Sequence, residues 1–150
     1  MSLSFSEIRV LPLQGDTIKK AAELEALTLE EAWSAEQIAE TIKRNGCYFA
    51  AFSAEKFLGH GGFTFAADEG YITNIAVSPE ARRQGVATKI IGAMVKEAKK
   101  RCLAFLSLEV RESNIFAVKL YEKSGFTVRG VRPKFYSNPL ENAVIMTKDI

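Results

Sequence analysis

Arg82-Arg83-Gln84-Gly85-Val86-Ala87-Thr88 lies between a β-rich run and the clearest helical pattern in the chain. Small residues at 85 and 87 let the backbone approach a ligand closely. A helix N-terminus offers unpaired N–H groups and the positive end of a dipole, so this turn can cradle a pyrophosphate. It equally describes a surface turn carrying two solvated arginines, and the residues alone leave both readings open. A nucleotide P-loop is excluded, because the Gly-x-x-x-x-Gly-Lys spacing is missing. Glu109 stands out next. Strand parity sets Leu106, Leu108 and Val110 on one face and Phe105, Ser107, Glu109 and Arg111 on the other. Carboxylates are depleted from strand interiors, so Glu109 is either a functional group or a side chain on a solvated face. Tyr121 falls one turn before Gly125 on the helical face of Ala117 and Val118, where plain core packing is its alternative.

Periodicity supplies the elements that must position these residues. Ser4 to Leu13 reads as a strand ended by Gly15 and Asp16. Thr17 to Leu29 repeats apolar residues at helical spacing through Ile18, Ala21, Leu24 and Thr28. Ser34 with Gln37 forms a capping box for a second helix, which Asn45-Gly46 closes. Cys47 to Ser53, Phe57 to Ala66 and Tyr71 to Val77 are three strands with tight connections, hence an antiparallel meander. Val86 to Arg101 is a helix whose apolar face is Ile90, Ile91, Met94, Val95 and Ala98, with cations crowding its last turns. Leu103 to Val110 is a strand, and Ser113 to Ser124 a helix ended by Gly125. Phe126 to Val131 and Ala143 to Thr147 read as closing strands joined by a long loop.

A length of 150 residues fits one domain, expected to run over 1–150 without repeat or linker. With 47% hydrophobic and 25% charged residues the balance is that of a globular protein rather than a disordered or membrane one. A net charge of +2 gives no general attraction to polyanions, which argues against direct nucleic-acid binding. Cys47 and Cys102 match no metal or redox spacing and are expected to be reduced, partly buried small hydrophobes. His60, in Gly59-His60-Gly61-Gly62, has no visible partner for a triad or metal site and reads as a strand or turn residue. Met1 to Val10 lacks the apolar stretch of a signal peptide, so a cytoplasmic location is expected.

In this order, the run from Tyr71 to Gly125 resembles the GNAT acetyltransferases, whose acetyl-CoA motif, Arg/Gln-x-x-Gly-x-Gly/Ala, opens a helix after a strand. More narrowly, Asn74-Ile75-Ala76-Val77, Leu108-Glu109-Val110-Arg111, Ser113-Asn114, Leu120-Tyr121-Glu122, Gly125-Phe126 and Arg132 resemble the ribosomal-protein-alanine N-acetyltransferase (RimI-type) branch. Toward the N-terminus only Trp33-Ser34 matches. The resemblance implies a mixed α+β GNAT fold: a central, mainly antiparallel sheet of about seven strands, four helices and a splayed acetyl-CoA cleft.

Carried over by position, it implies that Ile75, Ala76 and Val77 pair through their backbone with the pantetheine arm. Arg82, Arg83, Gln84, Gly85, Val86, Ala87 and Thr88 would wrap the pyrophosphate, and Asn114 would hydrogen-bond the cofactor or simply cap its helix. Glu109 would be the general base, Tyr121 the acid that protonates the departing thiolate, and Tyr136 an acceptor contact. The implied cosubstrate is acetyl-CoA, with no metal and no membrane. The implied acceptor is the N-terminal α-amine of a protein or peptide, ribosomal proteins included, with direct transfer in a ternary complex. An enzyme acting on a small amine or lysine is the alternative. A non-catalytic acyl-CoA-binding module is another, but it would need neither Glu109 nor Tyr121. The oligomeric state is left open. Two departures bear on the acceptor: Phe135-Tyr136 replaces the family's frequent paired tyrosines, and Glu141-Asn142-Ala143 its Glu-Asp-Ala.

Overall fold

Short turns divide most of the chain, so strands adjacent in sequence become adjacent in the sheet. Residues 7–150 are those described by the computed structural model. The N-terminal part contains β1 (Arg9–Pro12), α1 (Thr17–Thr28) and α2 (Ala35–Arg44), followed by the meander β2 (Gly46–Ser53), β3 (Lys56–Ala66) and β4 (Glu69–Val77). A single turn of 3-10 helix at Pro79–Ala81 leads into α3 (Val86–Lys100), then β5 (Phe105–Arg111), α4 (Ile115–Lys123), β6 (Thr127–Tyr136) and β7 (Glu141–Asp149).

The seven strands form one sheet in the order β1-β2-β3-β4-β5-β7-β6. Every neighbouring pair is antiparallel except β4 and β5. That parallel step needs a crossover, and α3 supplies it. The mixed, mainly antiparallel sheet expected from the resemblance is therefore what forms. β4 and β5 pair only at Glu69↔Phe105, Gly70↔Leu106 and Tyr71↔Ser107, and then diverge. Beyond Tyr71, β4 keeps its ladder to β3 on one edge and turns its other edge to a gap.

Each sheet face has its own apolar layer. α3 buries Val86, Ile90, Ile91, Met94 and Ala98 against a cluster that includes Leu58, Phe63, Leu106, Leu108 and Met146. α1 and α2 cover the other face through Ala21 and Ile38, packed with Leu13, Tyr48 and Ala50. Among the glycines of β3, Gly62 must lack a side chain, because a Cβ there would enter the Tyr48 ring and lie 2.7 Å from the Cys47 carbonyl. His60 is a β3 residue and is wholly buried.

Four expectations shift. The first strand is Arg9–Pro12, and Ser4 to Ser6 of the expected span lie outside the described residues. Leu103 is not yet strand: its N–H bonds Ala98 O at the end of α3, and pairing starts at Phe105. Cys102 is exposed and adopts a φ of 58°, the left-handed conformation that lets the chain leave α3, while Cys47 is buried and both are free. The expected long loop between the last strands is a short turn, because β6 continues to Tyr136 and β7 begins at Glu141. Pro133 is tolerated there because the β6–β7 register breaks between Arg132 and Tyr136, so no ladder N–H is demanded of it.

Candidate active site

The phosphate-type turn is built from backbone strain and unpaired amides. Arg83 (φ 63°) and Gly85 (φ 81°) both take the left-handed conformation, which curls successive N–H groups toward one side as an anion-binding concavity. Gly85 is the N-cap of α3 and brings no capping side chain. The first intrahelical bond returns from Lys89 N to Gly85 O, leaving the amides of the opening turn for a ligand.

In front of this turn lies a cleft of about 870 Å³ lined by Val77, Ala81, Arg82, Arg83, Gly85, Val86, Ala87, Thr88 and Asn114 on one side. Phe116, Lys119, Leu120 and Lys123 of α4 complete it. The structure thus gathers Val77, Arg82, Arg83, Gly85, Val86, Ala87, Thr88 and Asn114 around one cavity. Ile75, Ala76 and Gln84 are not in its lining. Ile75 and Ala76 sit in β4 opposite Gly61 and His60, with their other backbone edge toward the gap. The Gln84 side chain turns back to donate to Glu80 O at 3.4 Å. Asn114 does cap: its Oδ1 accepts from Ala117 N at 3.2 Å, which leaves its Nδ2 to donate elsewhere.

Of the α4 lining, Phe116, Lys119 and Lys123 have no place among the sequence expectations, which name Asn114 and the Leu120-Tyr121 motif. Phe116, Lys119, Leu120 and Lys123 repeat at helical spacing, and that stripe, with two cations on it, was the available signal.

Tyr136 of β6 lies within electrostatic reach of both Glu109 on β5 and Tyr121 on α4. Glu109 is half-buried on β5, with Oε1 held by Arg132 Nε at 3.3 Å. Its Oε2 is buried and has no hydrogen-bond partner among the described residues. Arg132 in turn lies 5.8 Å from the Phe135 ring centroid, and Phe135 meets Tyr136 edge-on at 5.0 Å. Burial pushes the Tyr121 hydroxyl well above its ordinary pKa, and the nearby Tyr136 adds to the effect. A raised pKa keeps that O–H protonated at neutral pH, the state a donor needs. Tyr136 is also raised, first by burial and then by the charges of Glu31 and Glu109.

Arg111 is the hub of the neighbouring wall. Its guanidinium lies 4.3 Å from the Tyr136 ring centroid. Nη2 reaches Glu30 at 3.0 Å and Glu31 at 3.1 Å, and donates to Ser137 O at 3.3 Å. Nη1 donates to Pro139 O at 3.0 Å and Glu141 at 3.3 Å. Glu141 also accepts from Ser113 N at 2.6 Å, and Ser113 with Arg111 holds its carboxyl below the usual range. The α1–α2 connection and the β6–β7 turn are thereby tied together beside Tyr136. Asn142, the departure noted above, accepts from Lys134 N at 3.0 Å and so braces the irregular part of β6.

These features match known proteins. The family described as "Acetyltransferase (GNAT) family" matches residues 16–126. The ribosomal protein bS18-alanine N-acetyltransferase of Escherichia coli strain K12 is 34% identical over 140 residues, covering 85% of this chain and 95% of that protein. The crystal structure of the Escherichia coli ribosomal-protein-S18-alanine N-acetyltransferase superposes with a TM-score of 0.87 at 29% identity, over 96% of this chain and 94% of that one. A GNAT acetyltransferase from Elizabethkingia anophelis, solved with acetyl-CoA bound, gives a TM-score of 0.79 at 20% identity, over 97% and 99%, and shows the shared fold.

The turn's geometry makes one substitution informative. A Cβ at Gly85 meets nothing within 4 Å, so Gly85→Val leaves the packing intact. It places branched bulk in the cleft and strains a φ of 81°. Calorimetry on the folded variant is expected to show acetyl-CoA affinity reduced about tenfold or more. Unchanged affinity would remove this turn from the cofactor site.

Proposed function

This chain belongs to the acetyltransferase (GNAT) family and is an acyltransferase, and we propose that its acceptor is the N-terminal α-amine of a protein or peptide, with acetyl-CoA as cosubstrate. Ribosomal-protein tails with a small first residue are the acceptor class this reading favours. One acetyltransferase domain over 1–150 would carry the whole reaction.

The observation that carries the reading is the junction of the splayed strands. The left-handed turn at Gly85 opens α3 onto the cleft, and Tyr136 lies within electrostatic reach both of Tyr121 and of Glu109, whose Oε2 has no hydrogen-bond partner among the described residues. The gap edge of β4 would pair with the amide-rich pantetheine arm, and Arg82, Arg83 and the amides of residues 85–88 would take the pyrophosphate. Asn114 Nδ2 would donate to the cofactor while Oδ1 keeps its cap. The acceptor nitrogen attacks the thioester carbonyl, forming the N–C bond, and the C–S bond breaks. Glu109 Oε2 accepts the proton that the amine must lose, directly or through a water, and the Tyr121 hydroxyl donates to the departing sulfur. Tyr136 and the wall organised by Arg111 would border the acceptor.

The choice of an α-amine over lysine rests on proton energetics. An α-amine has a pKa of about 7.7–8.0 and lysine about 10.4, so freeing the lysine nitrogen costs roughly 3 to 4 kcal/mol more. One glutamate base offers modest help against that difference.

Two measurements test this. Glu109→Gln is expected to lower turnover about 100-fold with acetyl-CoA affinity nearly unchanged, and Tyr121→Phe to slow turnover while keeping the fold. Both variants within about twofold of wild type would reduce these residues to packing roles. Separately, an alanine-first peptide lacking lysine is compared with an N-terminally blocked peptide carrying one lysine, at equal concentration near pH 7.5. The first should be acetylated faster. Equal or faster modification of the blocked peptide would assign the enzyme to side-chain or small amines.

A further inference from the structure

Among the described residues, Glu25 and His60 are the two ionisable side chains that the reaction described above does not use and that are wholly buried. His60 Nε2 lies 2.7 Å from Glu25 Oε2. This close polar contact does not meet hydrogen-bond geometry, and His60 Nδ1 likewise has no hydrogen-bond partner among the described residues. Removing a carboxyl from water is expensive, and a leucine in α1 would fill the same layer without that cost. The bonds that Glu25 makes show what its carboxyl does that a leucine could not.

Glu25 Oε1 accepts from the backbone N–H of Trp33 at 2.9 Å, which pins the connection between α1 and α2. Both carboxyl oxygens accept from Asn74 Nδ2 at 3.0 Å. Asn74 immediately precedes Ile75 to Val77 on β4, the strand whose outer edge faces the gap. Tyr48 donates to Asn74 Oδ1 at 3.2 Å and also bonds Thr73, and burial pushes its hydroxyl up to about 12, so it remains a donor. One carboxyl therefore joins three segments: the α1–α2 connection, β3 through His60, and β4 beside the gap. That connection carries Glu30 and Glu31, which hold Arg111 over Tyr136.

We propose that Glu25, seated by His60, is a positioning residue for the acceptor: it locks the α1–α2 wall to the cofactor strand. The proposal rests on the peptide-amine reading above and deepens it. An exposed connection of this length would otherwise sample many backbone states, and the acceptor would have to order it on binding, which weakens the acceptor's apparent affinity. Loss of the lock should therefore raise acceptor KM while turnover at saturation and cofactor affinity stay close to wild type.

The test uses Glu25→Gln, His60→Gln and the double variant Glu25→Gln/Asn74→Asp. The double variant exchanges donor and acceptor. The amide introduced at position 25 can donate to the carboxylate introduced at position 74, and its carbonyl oxygen can still accept from Trp33. Backbone hydrogen exchange over residues 29–34 is measured together with steady-state kinetics on an alanine-first peptide and calorimetry with acetyl-CoA. The single variants are expected to speed exchange at Trp33 and raise acceptor KM about five- to tenfold, with acetyl-CoA affinity within about twofold of wild type. The double variant should recover much of both. A lower Tm with unchanged exchange and unchanged KM would make the pair an ordinary core element and overturn the proposal. Acetyl-CoA affinity falling in step with the acceptor term would overturn it too, assigning the pair to the cofactor strand. If wild type acetylates no peptide while exchange at Trp33 still accelerates in the variants, the lock stands and the peptide-amine reading is what fails.

Discussion

A parallel pair of strands that stops pairing after three residues leaves a row of backbone N–H and C=O groups facing a gap, and a protein interior does not tolerate such a row without a partner. The rest of the molecule is arranged around that constraint. β4 cannot shift to close the gap, because β3 holds its other edge from Gly59↔Val77 onward, and the glycines of β3 let α3 and Tyr48 press close from opposite faces. β5 cannot shift either, since it pairs with β7 along its full length from Phe105 to Arg111. The open edge is thus a fixed feature of the native sheet.

The side chains of the candidate site inherit their positions from this divergence. Past Ser107, β5 carries Glu109 and Arg111 away from β4, and parity sends both to the face opposite Leu108 and Val110. α4 follows at once and brings Asn114, Phe116, Lys119, Leu120 and Lys123 to the cleft, while Tyr121 is buried in the core behind them. The β6–β7 hairpin closes the arrangement from the other side, where Arg132 holds Glu109 and Tyr136 stacks on Arg111. Arg111 bonds to both the α1–α2 connection and the β6–β7 turn, so these two segments are set relative to one another by one guanidinium. A planar fork with five donors can satisfy so many oxygens in different directions, and a lysine ammonium could not.

Local signals made much of this legible. The capping box at Ser34 and Gln37 forms as the spacing requires, and of the expected α3 stripe Ile90, Ile91, Met94 and Ala98 are buried while Val95 is partly so. The mid-strand Glu109 stands out because carboxylates are depleted from strand interiors, whereas the turn at Gly85 gains its meaning only from its place before the strongest helix and beside the other motifs. Long-range chemistry was not legible. Nothing local marks Glu25 within its helix, because its partners His60 and Asn74 lie on two other strands. His60 looks like an isolated histidine in the sequence for the same reason. The extent of the last hairpin is hidden by composition: both faces of β6 are largely exposed, so no alternation marks it, and pairing with β7 rather than burial defines it. The Phe116–Lys123 stripe of α4 is visible as periodicity but acquires meaning only opposite Arg82 and Arg83 across the cleft.

The central claim is that the gap-facing edge of β4 is where the cofactor docks as a strand-like guest. Residue-resolved amide hydrogen exchange by NMR, with and without saturating acetyl-CoA, tests it directly. The gap-facing amides among Ile75 to Val77 should become protected by about tenfold or more, together with those of the turn at residues 85–88. Protection confined to the turn, with 75–77 exchanging as in the free protein, would contradict it.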